Sequence, residues 1–335
     1  MSQLKLPEGH ALANSPPFRE GTAINRNRFL LLYNAGGIGD YIHWTRPIQW
    51  ICENVSHAEG TILSPPYFAE LAEHWLGKYS PRWKVESRPD VTENEIFKNW
   101  NGAIRAPDSR QLANACGFHL TQLGWIYYPG MDHVPKGWEG LPRIEGDEAD
   151  LSAFGLPADY AVLTTNATSA VRRLSNSAAQ GILSAMREKG QTPVLLGKKD
   201  LGCIDYGSKE IEGLDLTGCI DLRERTTLLE AACVMARARY VAGLDNGLLH
   251  LACCSDVPVI FAFTTVDPRH RVPQRRVGTK TVTIVPPEDL KCRFCQSQMR
   301  FLVGHNFSTC IYGDAACCEL LGAEPFRSAV EKILA

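Results

Sequence analysis

The chain lacks a run that could span a membrane: no apolar stretch in its 335 residues approaches the roughly 20 that a bilayer-crossing helix needs. It lacks the apolar core of a secretory signal as well. Residues 1–20 are polar and carry Pro7, Pro16 and Pro17, so the cytoplasm is the expected compartment. A basic excess is also missing. The formal net charge is -2, which argues against a partner bound through many phosphate contacts, although a local basic patch stays open. No repeat of fixed short period is present.

What is there is an ordinary globular composition, 44% hydrophobic and 21% charged, in a chain long enough for two domains. Residues 1–27 read as a lead-in. From residue 28, short apolar runs alternate with amphipathic segments. Strands are expected at 28–34, 61–64, 83–86 and 102–106, and helices at 40–54, 66–76 and 109–123. Residues 127–150, with Pro129, Pro135 and Pro142, break the rhythm and read as an inter-domain connection. It resumes with strands at 160–164, 193–196, 240–243 and 257–263, and helices at 176–189, 226–237, 247–254 and 325–334. Such alternation implies βαβ units around parallel sheets.

Two strand-to-helix loops carry chemistry. The first is Asn34-Ala35-Gly36-Gly37-Ile38-Gly39-Asp40. Its glycines let backbone approach a ligand, but no third glycine completes a dinucleotide fingerprint. Asp40 reads equally as a helix N-cap and as a general base at the mouth of the sheet. His43, one turn on, reads as an ordinary polar neighbour. The second loop is Leu244-Asp245-Asn246-Gly247-Leu248-Leu249-His250. Asp245 and Asn246 can cap a helix, Gly247 removes a side chain at the closest approach, and the freed N–H groups favour a diphosphate. A plainly capped helix with a partly buried His250 is the alternative. Arg172, Arg173, Lys198 and Lys199 follow predicted strands, at the sheet edge where open parallel sheets bind ligands.

The chain has 12 cysteines, a high number for a protein expected in a reducing compartment. Most read as small buried hydrophobes. Cys292 and Cys295 form a CxxC knuckle, followed by Cys310 and the pair Cys317 and Cys318. Cys292, Cys295, Cys310 and Cys317 could make a tetrahedral site for zinc or iron, with Cys318 as the rival fourth ligand and reduced thiols or a disulfide as the alternative.

Together the two loops resemble glycosyltransferase family 9, the ADP-heptose-using heptosyltransferases. Gly39 and Asp40 match the family's first loop. Asp245, Gly247, His250 and Ala252, with Pro258 leading the next strand, match its Asp-Thr/Ser-Gly-x-x-His-x-Ala pattern, Asn246 standing where Thr or Ser is usual. The loop 263–268 and Leu216-Thr217-Gly218 with the helix bearing Leu228, Leu229 and Glu230 fit as well. The resemblance, over 28–335, implies an α/β GT-B fold: two Rossmann-like doubly wound domains facing a cleft. The domains would be 28–150 for the acceptor and 151–322 for the nucleotide sugar, including the cysteine cluster 292–318. A final helix, 323–335, would pack back on the first domain. The resemblance makes Asp40 the catalytic base and Gly39, Asp245, Asn246, Gly247, Leu248, His250 and Arg172 or Arg173 the donor site.

The implied activity is transfer of a heptose-like sugar from a nucleotide-diphosphate donor to a hydroxyl of a glycan or lipopolysaccharide core. Catalysis would need no metal, and no Asp-x-Asp motif is present to hold one. A branch of the family, the autotransporter heptosyltransferases, has a comparable cysteine finger that binds iron, so a protein acceptor is the runner-up. A modified DNA base is a third acceptor, against which the charge argues. A non-catalytic GT-B-like binding protein is the alternative of another class; Asp40 and His250 together speak against it.

Overall fold

The computed structural model describes residues 27–32, 37–56, 58–88, 102–105, 119–129, 131, 133–164, 167, 169, 171–199, 213–298 and 310–335. The lead-in 1–26 and the glycine turn up to Gly36 lie outside them. The chain forms two compact units, whose described residues part between Pro142 and Arg143.

The first unit is a parallel sheet in the order β3-β2-β1-β4, built from β1 (Asn27–Leu32), β2 (Ala58–Ser64), β3 (Trp83–Ser87) and β4 (Gly102–Arg105). β1 feeds α1 (Ile38–Asn54), and α2 (Ala69–Leu76) follows β2. α1 is buried on nearly every side, with Ile42, Trp44, Ile48 and Ile51 fully enclosed. β1 has β2 on one side and β4 on the other, so its C-terminal end lies where the strand order reverses, the usual ligand position of such sheets. α3 (Leu120–Tyr127) crosses α1 very closely. A Cβ on Gly124 would stand 2.9 Å from Trp44 Cδ1 and 3.2 Å from the His43 carbonyl. That carbonyl is the one Pro47, lacking an N–H, cannot bond within α1. Where a helix was expected at 109–123, the described helix begins at Leu120 after its N-cap His119 and runs on to Tyr127; residues 109–118 lie outside the described residues.

The second unit is a parallel sheet in the order β10-β9-β8-β5-β6-β7. Its strands are β5 (Tyr160–Thr164), β6 (Thr192–Leu196), β7 (Ile220–Asp221), β8 (Val241–Leu244), β9 (Val259–Ala262) and β10 (Thr281–Ile284). Every residue of β5, β8 and β9 is buried, which is why these strands read as continuous apolar runs. The edge strands β7 and β10 were not expected. The helices are α4 (Asn176–Glu188), α5 (Leu228–Ala236), α6 (Gly247–Ala252), α7 (Ala316–Glu319) and α8 (Ala323–Leu334). Here the order reverses between β5 and β8.

α8 packs on α4, β9 and β10 of its own unit. Phe326, Ala329, Val330 and Ile333 enter the core formed by Ile182, Met186, Leu195 and Ile260. The two helices touch at Gly181, where a Cβ would lie 2.7 Å from Ala323 Cα. The segment after Pro142 is also tied to this unit. Ile144 N–H donates to the Cys254 carbonyl (2.9 Å) and Arg237 Nε donates to that of Gly146 (2.6 Å). Among the described residues no helix is long and apolar enough to cross a membrane.

Candidate active site

In the first unit, Gly37 caps α1 and Asp40 is its third residue. Asp40 Oδ2 accepts the Gly37 N–H at 2.8 Å, so the acid is not itself the N-cap; it reaches back to the cap as the second half of a capping box does. The carboxylate is 6% exposed and its orientation is fixed by that bond. Gly39, half-buried, precedes it in the same turn. His43 faces elsewhere. It is fully buried, with Nδ1 2.8 Å from Thr121 Oγ1 and its ring edge-on to His119.

In the second unit the loops after β5 and β8 meet at the switch point. Asn246 caps α6, its Oδ1 accepting the Leu249 N–H at 3.0 Å, and its Nδ2 donates to Thr164 Oγ1 at 3.2 Å. The strands run tight there because β8 has Gly243 opposite Thr164. A Cβ on Gly243 would lie 2.6 Å from the Thr164 carbonyl and 2.8 Å from Leu249 Cδ2. A glycine inside a strand was the available signal for this close approach. Gly247 and Leu248 are half-buried, and Leu248 leans toward Gly197 at the end of β6.

Asp245 is almost fully buried. Its Oδ1 accepts from His250 Nε2 at 3.0 Å, and Arg172 Nη1 reaches its carbonyl at 3.2 Å and Oδ2 at 3.5 Å. Burial alone pushes this carboxyl up. The His250 hydrogen bond and the charges of Arg271, Arg172 and His250 outweigh it and hold the group well below the usual carboxylate range. His250 is itself buried and stacks edge-on against Phe261 (5.3 Å). The side chains of Asp245 and His250 are therefore committed to each other and to Arg172. Arg271 carried no signal beyond a short basic run, Arg269-His270-Arg271, after the β9 loop.

The two candidate arginines part company. Arg172 turns to Asp245, whereas Arg173 turns outward to Glu319 on α7 (3.4 Å). Lys198 and Lys199 are exposed beyond β6. A loop after β9 completes the edge: Thr264 and Asp267 are buried, and Thr264 Oγ1 donates to the Val171 carbonyl at 2.8 Å.

The cysteine segments dock on these loops. Gln296 N–H donates to the Thr265 carbonyl and Asp267 N–H to Ser297 Oγ, both at 2.9 Å. Every described cysteine is a free thiol. Burial and the neighbouring Cys292 and Cys310 push the Cys295 thiol up to about 11, and Cys317 feels Cys318, Cys295 and Cys292, so the knuckle and the later cysteines share one neighbourhood. Among the described residues, however, no group of three His, Cys, Asp or Glu side chains stands in metal-ligating arrangement. The thiols have protein partners instead: Cys310 Sγ accepts the Ala315 N–H (3.3 Å) and Cys317 pairs with Cys318.

The profile of glycosyltransferase family 9 (heptosyltransferase) matches residues 143–298. No curated protein matches. Among solved structures, the chain resembles TibC, the iron-containing dodecameric glycosyltransferase of enterotoxigenic E. coli H10407. Identity is 13%, covering 93% of this chain and 79% of that one, at a TM-score of 0.69. The complex of the iron-containing heptosyltransferase TibC with ADP-D-beta-D-heptose scores the same, at 14% identity over 93% and 77%. E. coli ADP-heptose lps heptosyltransferase II follows at 12% identity, 92% and 98% coverage and a TM-score of 0.59. At these identities the likeness shows the fold, which is the GT-B architecture. The reversal of strand order at β5 and β8 and the loops that meet there lie within residues 143–298, the stretch that is similar to glycosyltransferase family 9.

Proposed function

We propose that the protein transfers a heptose-like sugar from a nucleotide-diphosphate donor such as ADP-heptose to an acceptor hydroxyl on a glycan or lipopolysaccharide core. Asp40 takes the proton of that hydroxyl as its oxygen attacks the anomeric carbon. The bond from that carbon to the diphosphate breaks, and the nucleotide diphosphate leaves with the electron pair. Arg172 and the backbone N–H groups of Gly247 and Leu248 stabilise the charge that develops on it. Asp245, Asn246 and His250 hold that arginine and the start of α6 in place, with Gly39 leaving room beside the base. The bound position of Arg173 toward Glu319 favours Arg172 as the phosphate cation. Catalysis uses no metal in this reading, and the protein works in the cytoplasm.

The observation that carries the proposal is the Arg172–Asp245–His250 chain at the strand-order reversal within the stretch similar to family 9. The test is a panel of nucleotide sugars assayed for nucleotide release. Asp40→Asn is the informative variant, because its amide oxygen can still accept the Gly37 N–H while the base is gone. Turnover should vanish and ADP binding should persist; wild-type turnover in Asp40→Asn overturns the role.

The cysteine cluster we read as a structural zinc or iron site formed by Cys292, Cys295, Cys310 and Cys317. Four thiols in CxxC spacing with later partners suit either metal, and no step of the transfer passes through it. TibC, to which the chain is similar, is iron-containing. Elemental analysis should give about one metal per chain, lost in Cys295→Ser. A protein acceptor is the second reading, favoured by the docking of Gln296 and Ser297 on the 265–267 loop beside the donor site.

A further inference from the structure

Arg172 stands in a short turn, and the carbonyl just before it is held by a thiol. Cys318 Sγ donates to the Val171 carbonyl at 3.4 Å. The Val171 carbonyl also accepts from Thr264 Oγ1 at 2.8 Å, and the Arg172 N–H closes the turn on the Ser169 carbonyl at 2.9 Å. Cys318 is fully buried, and Thr264 and Val171 nearly so. An arginine's reach is long and its side-chain entropy is large, so its guanidinium is placed only as well as its backbone is held. Two elements distant in sequence, the β9 loop and α7, converge on one carbonyl next to the cation of the donor site. Cys318 also pairs with its neighbour Cys317, which in turn feels Cys295 and Cys292.

We propose that Cys318 and Thr264 are positioning residues for Arg172, so that α7 with its cysteines is a working part of the nucleotide site. The inference rests on the donor-site reading of Arg172 given above. Loss of either donor frees the Val171–Arg173 turn and lets the guanidinium leave Asp245, which weakens the hold on a diphosphate without altering the proton transfer. The effect falls on ADP affinity and on kcat/KM for the donor.

The test is ADP titration of the full-length protein by calorimetry, on Cys318→Val, which removes the thiol, Cys318→Ser, which keeps a donor, and Thr264→Val, each alone and combined with Arg172→Ala. Cys318→Val and Thr264→Val should each weaken ADP about five-fold in the wild-type background, Cys318→Ser should restore most of the affinity, and neither Val change should matter once Arg172 is absent. A purely structural role would instead weaken binding by the same factor in both backgrounds, and that outcome overturns the inference. So does wild-type ADP affinity in folded Cys318→Val and Thr264→Val when Arg172→Ala binds weakly; the donor-site reading then survives alone. If Arg172→Ala binds ADP as well as the wild type, the donor-site reading of Arg172 fails and the inference falls with it. Should Cys318→Val not fold, Cys318→Ser and Thr264→Val carry the same comparison.

Discussion

Each unit has an aspartate at the start of the helix that follows a strand beside its strand-order reversal, and the two acids have opposite surroundings. Asp40 gives one oxygen to the backbone of its own helix cap. Asp245 is enclosed by His250, Arg172 and Arg271 and has its charge fixed by them. A buried carboxylate surrounded by cations loses basicity and becomes an anchor. In the proposed reaction an aspartate near the strand-order reversal is thus the reagent in one unit and the scaffold in the other.

The sharpest way to break that contrast is kinetic. Asp40→Asn should lower kcat by about a hundred- to ten-thousand-fold, as loss of a general base does, with little change in melting temperature. The reverse pattern is expected for Asp245. Asp245→Ala leaves Arg172 and His250 without their shared anion and should cost about 3–5 kcal/mol by denaturant unfolding. Because the folded pKa of Asp245 is depressed, its stabilisation is full above the unfolded carboxyl value of about 4 and is lost only as pH falls below it. The stability gap between the wild type and Asp245→Asn should accordingly be level from about pH 5 to pH 8 and narrow in acid. Gly243→Ala, which drives a methyl into Thr164 beneath the Asp245 loop, should cost about 1–3 kcal/mol in the same assay. The smallest effect is expected for Asp40→Ala, where loss of the cap bond should cost about 1 kcal/mol, recovered in Asp40→Asn.

Much of the fold was legible. β5 spans the residues its apolar run marked, and α6 opens at the Gly247 that follows its capping Asn246. β7 and β10 were not, since strands of two and four residues carry too little periodicity to stand out. The apolar stripe of α8 announced a buried helix, but a stripe does not say which sheet it covers; the Gly181–Ala323 contact that decides this lies between residues far apart in sequence. The site shows the same division. The loops bearing Asp40 and Asp245 were marked by glycine and aspartate at strand ends. Which of Arg172 and Arg173 turns inward, and which of Cys317 and Cys318 meets the Val171 carbonyl, depends on side-chain direction in irregular backbone, where no period applies.

The division of labour between the two aspartates is tested most directly by ADP titration of Asp40→Asn and Asp245→Asn side by side. Wild-type ADP affinity in the first, with turnover gone, and weakened affinity in the second is the predicted result. Loss of ADP binding in Asp40→Asn together with undiminished binding in Asp245→Asn would contradict it.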